Sequence, residues 1–174
     1  MKKLLYSLFL LAFLAIEVPV FGVMSPGDFA KSGISVGLVV ENLDKSLDFY
    51  KNVIGMIQTS QFSVESVRAK ELGLSAGDRF DVTILKLENS EQAAEWKIMS
   101  FGKKATHPKQ NFVPDDTGMQ YITIYVKSMK PLLERIKKYK VKTLGITPTK
   151  LDENRDFILL QDPDGNFIEL IGPK

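Results

Sequence analysis

An α+β fold built from two βαβββ units packed as one domain is what this sequence predicts, and three observations predict it. The order strand, helix, then three strands occurs twice along the chain. Hydrophobic residues make up 44% of 174, enough for one sizeable core. Neither unit can bury its sheet face alone, so the two are expected to pack against each other.

The first residues read as an export signal. Lys2 and Lys3 precede an apolar run from Leu4 to Ile16, Glu17 ends the run, and Gly22 supplies a small residue for cleavage. As a helix that run would reach roughly 20 Å, at about 1.5 Å per residue. The hydrocarbon core of a bilayer is about 30 Å, so residues 1–22 read as a cleaved signal peptide and not as a stable membrane anchor. Retention of the signal as an anchor stays open. Its removal takes away two lysines and one glutamate, which lowers the formal charge from +2 by one unit. Residues 23–32 then form an N-terminal linker, and the mature protein is expected to be secreted or periplasmic.

The first unit is assigned to residues 33–102. Its β-branched stretch from Ile34 to Val40 predicts a buried strand, and Asn42 and Asp44 offer N-cap oxygens to a helix over 43–53. Leu47, Tyr50 and Ile54 fall at helical spacing, and Gly55 suits the C-cap. Strands follow over 56–64, 79–88 and 96–101. A partly helical connection over 66–74 and a turn at Ser75 to Asp78 separate the first two of them.

A linker loop over 103–117 leads to the second unit, 118–174. Met119 to Val126 predicts its first strand, and Pro131 fits the first turn of a helix ending near Tyr139. A short strand over 141–146 comes next. The last two strands, 157–161 and 167–171, face each other across Asp162, Pro163, Asp164, Gly165 and Asn166, the composition of a tight turn.

Composition excludes several chemistries. With no cysteine, disulfides, thiolate metal sites and thiol nucleophiles are ruled out, and with one histidine, His107, no pair of imidazoles exists in the chain. Twenty-three basic against 21 acidic residues give no broad field for nucleic acid. The basic stretch from Arg135 to Lys142 reads as a solvated helix face. Trp96, Phe80, Phe101 and Phe112 read as core aromatics in preference to a ligand-stacking set.

Two motifs carry a family resemblance. GISVGLVVENLDKSLDFYKNVIGM at Gly33 to Met56 and QDPDGNFIEL at Gln161 to Leu170 resemble the vicinal oxygen chelate superfamily, which includes glyoxalase I, bleomycin-resistance proteins and extradiol dioxygenases. The resemblance covers nearly the whole chain after the leader. It implies paired βαβββ modules in one curled mixed-sheet domain around a pocket, with metal ligands, where present, on the first and last strands of each module.

Carried over position by position, that ligand set is largely replaced. Ser35 and Tyr121 stand where histidines are common, Lys97 stands where a glutamate is common, and Glu169 alone keeps its ligand type. A shift by two residues would put Glu95 or Met99 at the Lys97 place, because residues two apart share a strand face. One carboxylate with a hydroxyl, a phenol and an ammonium does not suit a divalent metal. The expectation is therefore a protein without metal or other cofactor, and the dioxygenase activity of the family is disfavoured.

Ser35, Lys97, Tyr121 and Glu169 are the candidate ligand-binding residues, with Lys97 paired to Glu169 in place of a metal charge. The same residues without Ser35 are the catalytic candidates, should the protein be a glyoxalase-like lyase or isomerase. An inert ion pair is the third alternative. The partner expected is a small molecule, anionic or carbonyl-bearing, and a homodimer is left open.

Overall fold

The computed structural model describes residues 30–104 and 108–174, so the signal peptide expected over residues 1–22 and His107 lie outside the described residues. Lys31–Lys174 form one compact unit. Among the described residues no helix is long and apolar enough to cross a membrane.

Chain order is β1 (Ser35–Val39), α1 (Leu43–Asp48), β2 (Ile57–Val64), α2 (Ser66–Glu71), β3 (Phe80–Lys86), β4 (Glu95–Met99), β5 (Tyr121–Tyr125), α3 (Lys130–Lys138), β6 (Thr143–Lys150), β7 (Asp156–Gln161) and β8 (Phe167–Gly172). They form two four-stranded mixed sheets with the same internal order, β1-β4-β3-β2 and β5-β8-β7-β6. In each sheet the first strand runs parallel to the last and the other pairings are antiparallel.

Local chemistry explains the first helix. Asn42 Oδ1 accepts the Lys45 backbone N–H at 3.0 Å, as an N-cap should. From Phe49 to Ile54 the helix widens into a π-helical segment, and Gly55, at φ +96°, ends it. That widened turn carries Phe49, Tyr50, Val53 and Ile54, all buried, so it is the part of the helix pressed into the core.

One strand face of each sheet belongs to the core. Trp96 and Ile98 of β4, Leu85 of β3, Ile124 of β5, Ile158 and Leu160 of β7, and Ile168 and Leu170 of β8 pack with the helix residues Tyr50, Leu132 and Ile136 in a single cluster. Burying a large aliphatic side chain stabilises by about 1.5–3 kcal/mol, so this shared cluster is the main term holding both sheets in one unit. A smaller cluster lies on the other face of the first sheet, where Ala69 of α2 packs with Val64, Phe80, Val82 and Ile84. Phe80 and Phe101 meet there in a tilted contact with centroids 5.0 Å apart, while Phe112 is exposed, so the core reading suits three of the four aromatics and not Phe112.

Two expectations are corrected here. The strand expected over 141–146 is β6, Thr143–Lys150, and it continues past Pro148. It can do so because it is an edge strand, paired only with β7 and with its register broken between Leu144 and Thr149. Arg135 is not part of a solvated face: its Nε donates to Val53 O at 2.7 Å and its Nη2 to Ile54 O at 3.1 Å, so α3 caps the end of the first helix.

Candidate functional site

Strand alternation puts Ser35, Gly37 and Val39 of β1 and Glu95, Lys97 and Met99 of β4 on the sheet face opposite Val36, Leu38, Trp96 and Ile98. Ser35 is the direct register partner of Glu95. Its hydroxyl donates to Glu95 Oε2 at 2.6 Å. Three ammonium groups surround the same carboxylate: Lys31 at 3.5 Å and Lys86 at 3.7 Å from Oε1, and Lys97 at 3.5 Å from Oε2. Lys86 is the most enclosed, its side chain 13% exposed, and it also donates to Ser90 O at 3.1 Å.

The charges do not balance. Three lysines against one glutamate leave the cluster two charges positive. The Ser35 hydroxyl is the largest influence holding the Glu95 carboxyl low, at about 2, with Lys31 and Lys97 adding to it against the cost of desolvation. A carboxyl held that low is a weak base at neutral pH.

In the second sheet the matching face carries Tyr121, Thr123 and Glu169. Thr123 is the register partner of Glu169, and its hydroxyl donates to Glu169 Oε2 at 2.7 Å. Tyr121 is 47% exposed. The expected pairing of Lys97 with Glu169 is not formed: among the described residues Glu169 has no ion-pair partner, and Lys97 turns to Glu95. Lys97 and Glu169 are each the third residue of the last strand of their sheet, so they are equivalent in place without being in contact.

Of the four candidates, the structure groups Ser35 with Lys97 and leaves Tyr121 and Glu169 in the other sheet. Sequence reasoning does not single out Lys31, Lys86 or Thr123. Lys31 lies in the stretch 23–32 that reads as a linker. Lys86 could have been found from the antiparallel order of β3 and β4, since it follows Leu85, the partner of Trp96.

The residues do not fit a resident divalent metal. Among the described residues no three histidine, aspartate or glutamate side chains converge. Glu95 already accepts the Ser35 hydroxyl and is paired with three ammonium groups, and an added cation would be repelled.

Two cavities lie where β1 and β5 approach each other. One, of about 280 Å³, is walled by Val36, Leu85, Trp96, Ile122 and Ile124 and bordered by Lys86 and Glu95. The other, of about 180 Å³, lies between Gly37, Tyr50, Gln120, Tyr121 and Phe167.

Residues 34–170 match the family model described as the Glyoxalase/Bleomycin resistance protein/Dioxygenase superfamily. A search of curated protein sequences finds no match. Among solved structures, the chain is similar to a glyoxalase family protein from Bacillus cereus, with 16% identity, TM-score 0.67 and coverage of 86% of this chain and 98% of that one. It is also similar to the trypanothione-dependent glyoxalase I of Leishmania major, with 20% identity, TM-score 0.55 and coverage of 82% and 87%. A glyoxalase/bleomycin resistance protein/dioxygenase domain from Frankia sp. EAN1pec gives 18% identity, TM-score 0.56 and coverage of 82% and 90%. At these identities the likeness is one of fold.

Proposed function

The chain belongs to the Glyoxalase/Bleomycin resistance protein/Dioxygenase superfamily, and from that premise we propose that it is an exported, metal-free member that binds a small anionic molecule at the Ser35, Glu95, Lys97 face. The leader of residues 1–22 supports export to a secreted or periplasmic location. The observation that carries the binding reading is the set of three lysines around one carboxylate. Glu95 holds the lysines in place, and the surplus of two positive charges is left for a ligand.

Binding is favoured over proton-transfer catalysis by the state of Glu95. A general base works best with a pKa near the working pH, and this carboxyl is held at about 2. The test is thermal stability of the full chain as acetate or inorganic phosphate replaces chloride at constant ionic strength. A saturable rise in Tm is expected, and it should fall at least roughly tenfold in apparent affinity in Lys97→Met. Equal curves in all three anions, for native protein and variant alike, would overturn the reading.

A further inference from the structure

The larger of the two cavities is chemically two-sided. Its walls are aliphatic and aromatic, supplied by Val36, Leu85, Leu87, Trp96, Ile122 and Ile124, and Ile34 beside them is left 67% exposed. Among the described residues, the only charged ones that line it are Lys86 and Glu95. Both belong to the positive cluster, whose side chains lie on the other face of β4 from Trp96, so the apolar chamber borders the surplus positive charge at the start of β1 and β4, where Ile34 and Ala94 also line it. At about 280 Å³ it lies just under the range of roughly 300–1,000 Å³ typical of small-molecule sites.

The smaller cavity serves as an internal comparison, because the two sheets repeat one another. Where the first sheet offers Ile34, Ser35, Val36 and Ala94, Glu95, Trp96, the second offers Gln120, Tyr121, Ile122 and Asn166, Phe167, Ile168. Among the described residues, no charged one lines that second cavity. Apolar space between β1 and β5 is thus a property of the fold, whereas the charged mouth belongs to this chain's first sheet only.

We propose that the first cavity takes the apolar part of a small amphipathic carboxylic acid, a short alkyl chain or a single ring, while its carboxylate rests on Lys86. The inference rests on the anion-binding reading above and adds the ligand class to it. Apolar burial supplies the affinity, and the lysine selects acids over alcohols and amines of the same tail. One ligand is bound per chain, because only one of the two cavities has the cationic mouth.

Trp96 is the only tryptophan in the sequence and lines both cavities, so its emission reports entry between β1 and β5, and Lys86→Met, at a residue that lines the first cavity and not the second, assigns the signal. The experiment titrates the full chain with octanoate, with 1-octanol and with acetate, following Trp96 fluorescence and, in parallel, heat by calorimetry. Octanoate is expected to saturate at one per chain, with acetate and octanol each at least tenfold weaker. Lys86→Met should lose at least tenfold in octanoate affinity, and Ile122→Phe, which narrows the chamber without touching the lysines, should weaken octanoate while leaving acetate unchanged. Acetate binding with octanoate no tighter overturns this inference and leaves the anion site standing. Octanol binding as tightly as octanoate, with Lys86→Met silent, overturns it through the head group.

Discussion

The Tyr50 hydroxyl, on the helix that follows β1, donates at 2.7 Å to Asp162 Oδ2 in the hairpin that closes the second sheet. Asp162 also accepts the backbone N–H groups of Asp164 and Asn166 and the Asn166 amide, while Asp164 accepts from Glu41 N and Ser46 Oγ. What the sequence presents as turn chemistry is therefore also a polar clasp between the two halves. Burial pushes the Tyr50 hydroxyl well above its ordinary range and the neighbouring Asp162 carboxylate adds to this. Tyr50→Phe is expected to cost about 1–3 kcal/mol in a denaturant titration, and Asp162→Ala on the order of 3 kcal/mol, because it strands several buried donors at once. A cost near zero for both would remove the clasp.

Arg135 joins the halves a second time through the Val53 and Ile54 carbonyls. Arg135→Met should lower stability by about 1–3 kcal/mol, since it leaves two part-buried carbonyls without their cationic donor. Arg135→Lys should recover only part of that, because an ammonium cannot reproduce the fork. Equilibrium unfolding of the two variants decides it.

Acid should reach Glu95 late. Its folded pKa of about 2 lies below the unfolded value near 4.3, so its stabilising contribution is present above about pH 4.3 and is lost as pH falls through 2. Asp162, raised chiefly by burial, has the opposite sign and gains on acidification. Ser35→Ala removes the largest influence on Glu95 and should move its carboxyl up toward the ordinary range, read by carboxyl NMR titration. An unchanged titration would mean the lysines alone set it.

Alternation, capping and turn residues made the element order readable, because each is a local signal: Asn42, Gly55 and the DPDGN turn act within a few residues of themselves. The site was less readable, because it depends on contacts between strands. Placing Lys97 and Glu169 in equivalent positions is a statement about repeats, whereas contact requires proximity, and the nearer carboxylate is Glu95 two residues away on the same strand face. Lys86 becomes visible only once β3 and β4 are paired in register, and Lys31 comes from the segment before β1, at a sequence distance no local pattern covers.

Metal content follows from the same donor set. Purified from metal-free buffers, the protein is expected to carry well under one equivalent of zinc, nickel, iron or manganese by elemental analysis. Lys97→Glu adds a carboxylate beside Glu95 and removes a cation, so that variant should take up divalent metal more readily than the native chain. One tightly held equivalent in the native protein, lost to chelator together with ligand binding, would refute the expectation.

The pairing of Lys97 is open to a direct measurement. A double-mutant cycle on unfolding free energy, with Lys97→Met against Glu95→Gln, should give a coupling of about 0.2–1 kcal/mol, the range for ion pairs that keep partial contact with water. The same cycle against Glu169→Gln should give none, since Glu169 is satisfied by Thr123 and has no ion-pair partner among the described residues. Glu95→Gln alone is the more informative single change, because it leaves three ammonium groups facing one another without their shared counter-charge. Its loss of stability should shrink as salt is raised, the screening expected of like charges at partly exposed sites. Coupling to Glu169 in place of Glu95 would mean that the charge joins the two sheets, and the anion site would then have to be redrawn between them.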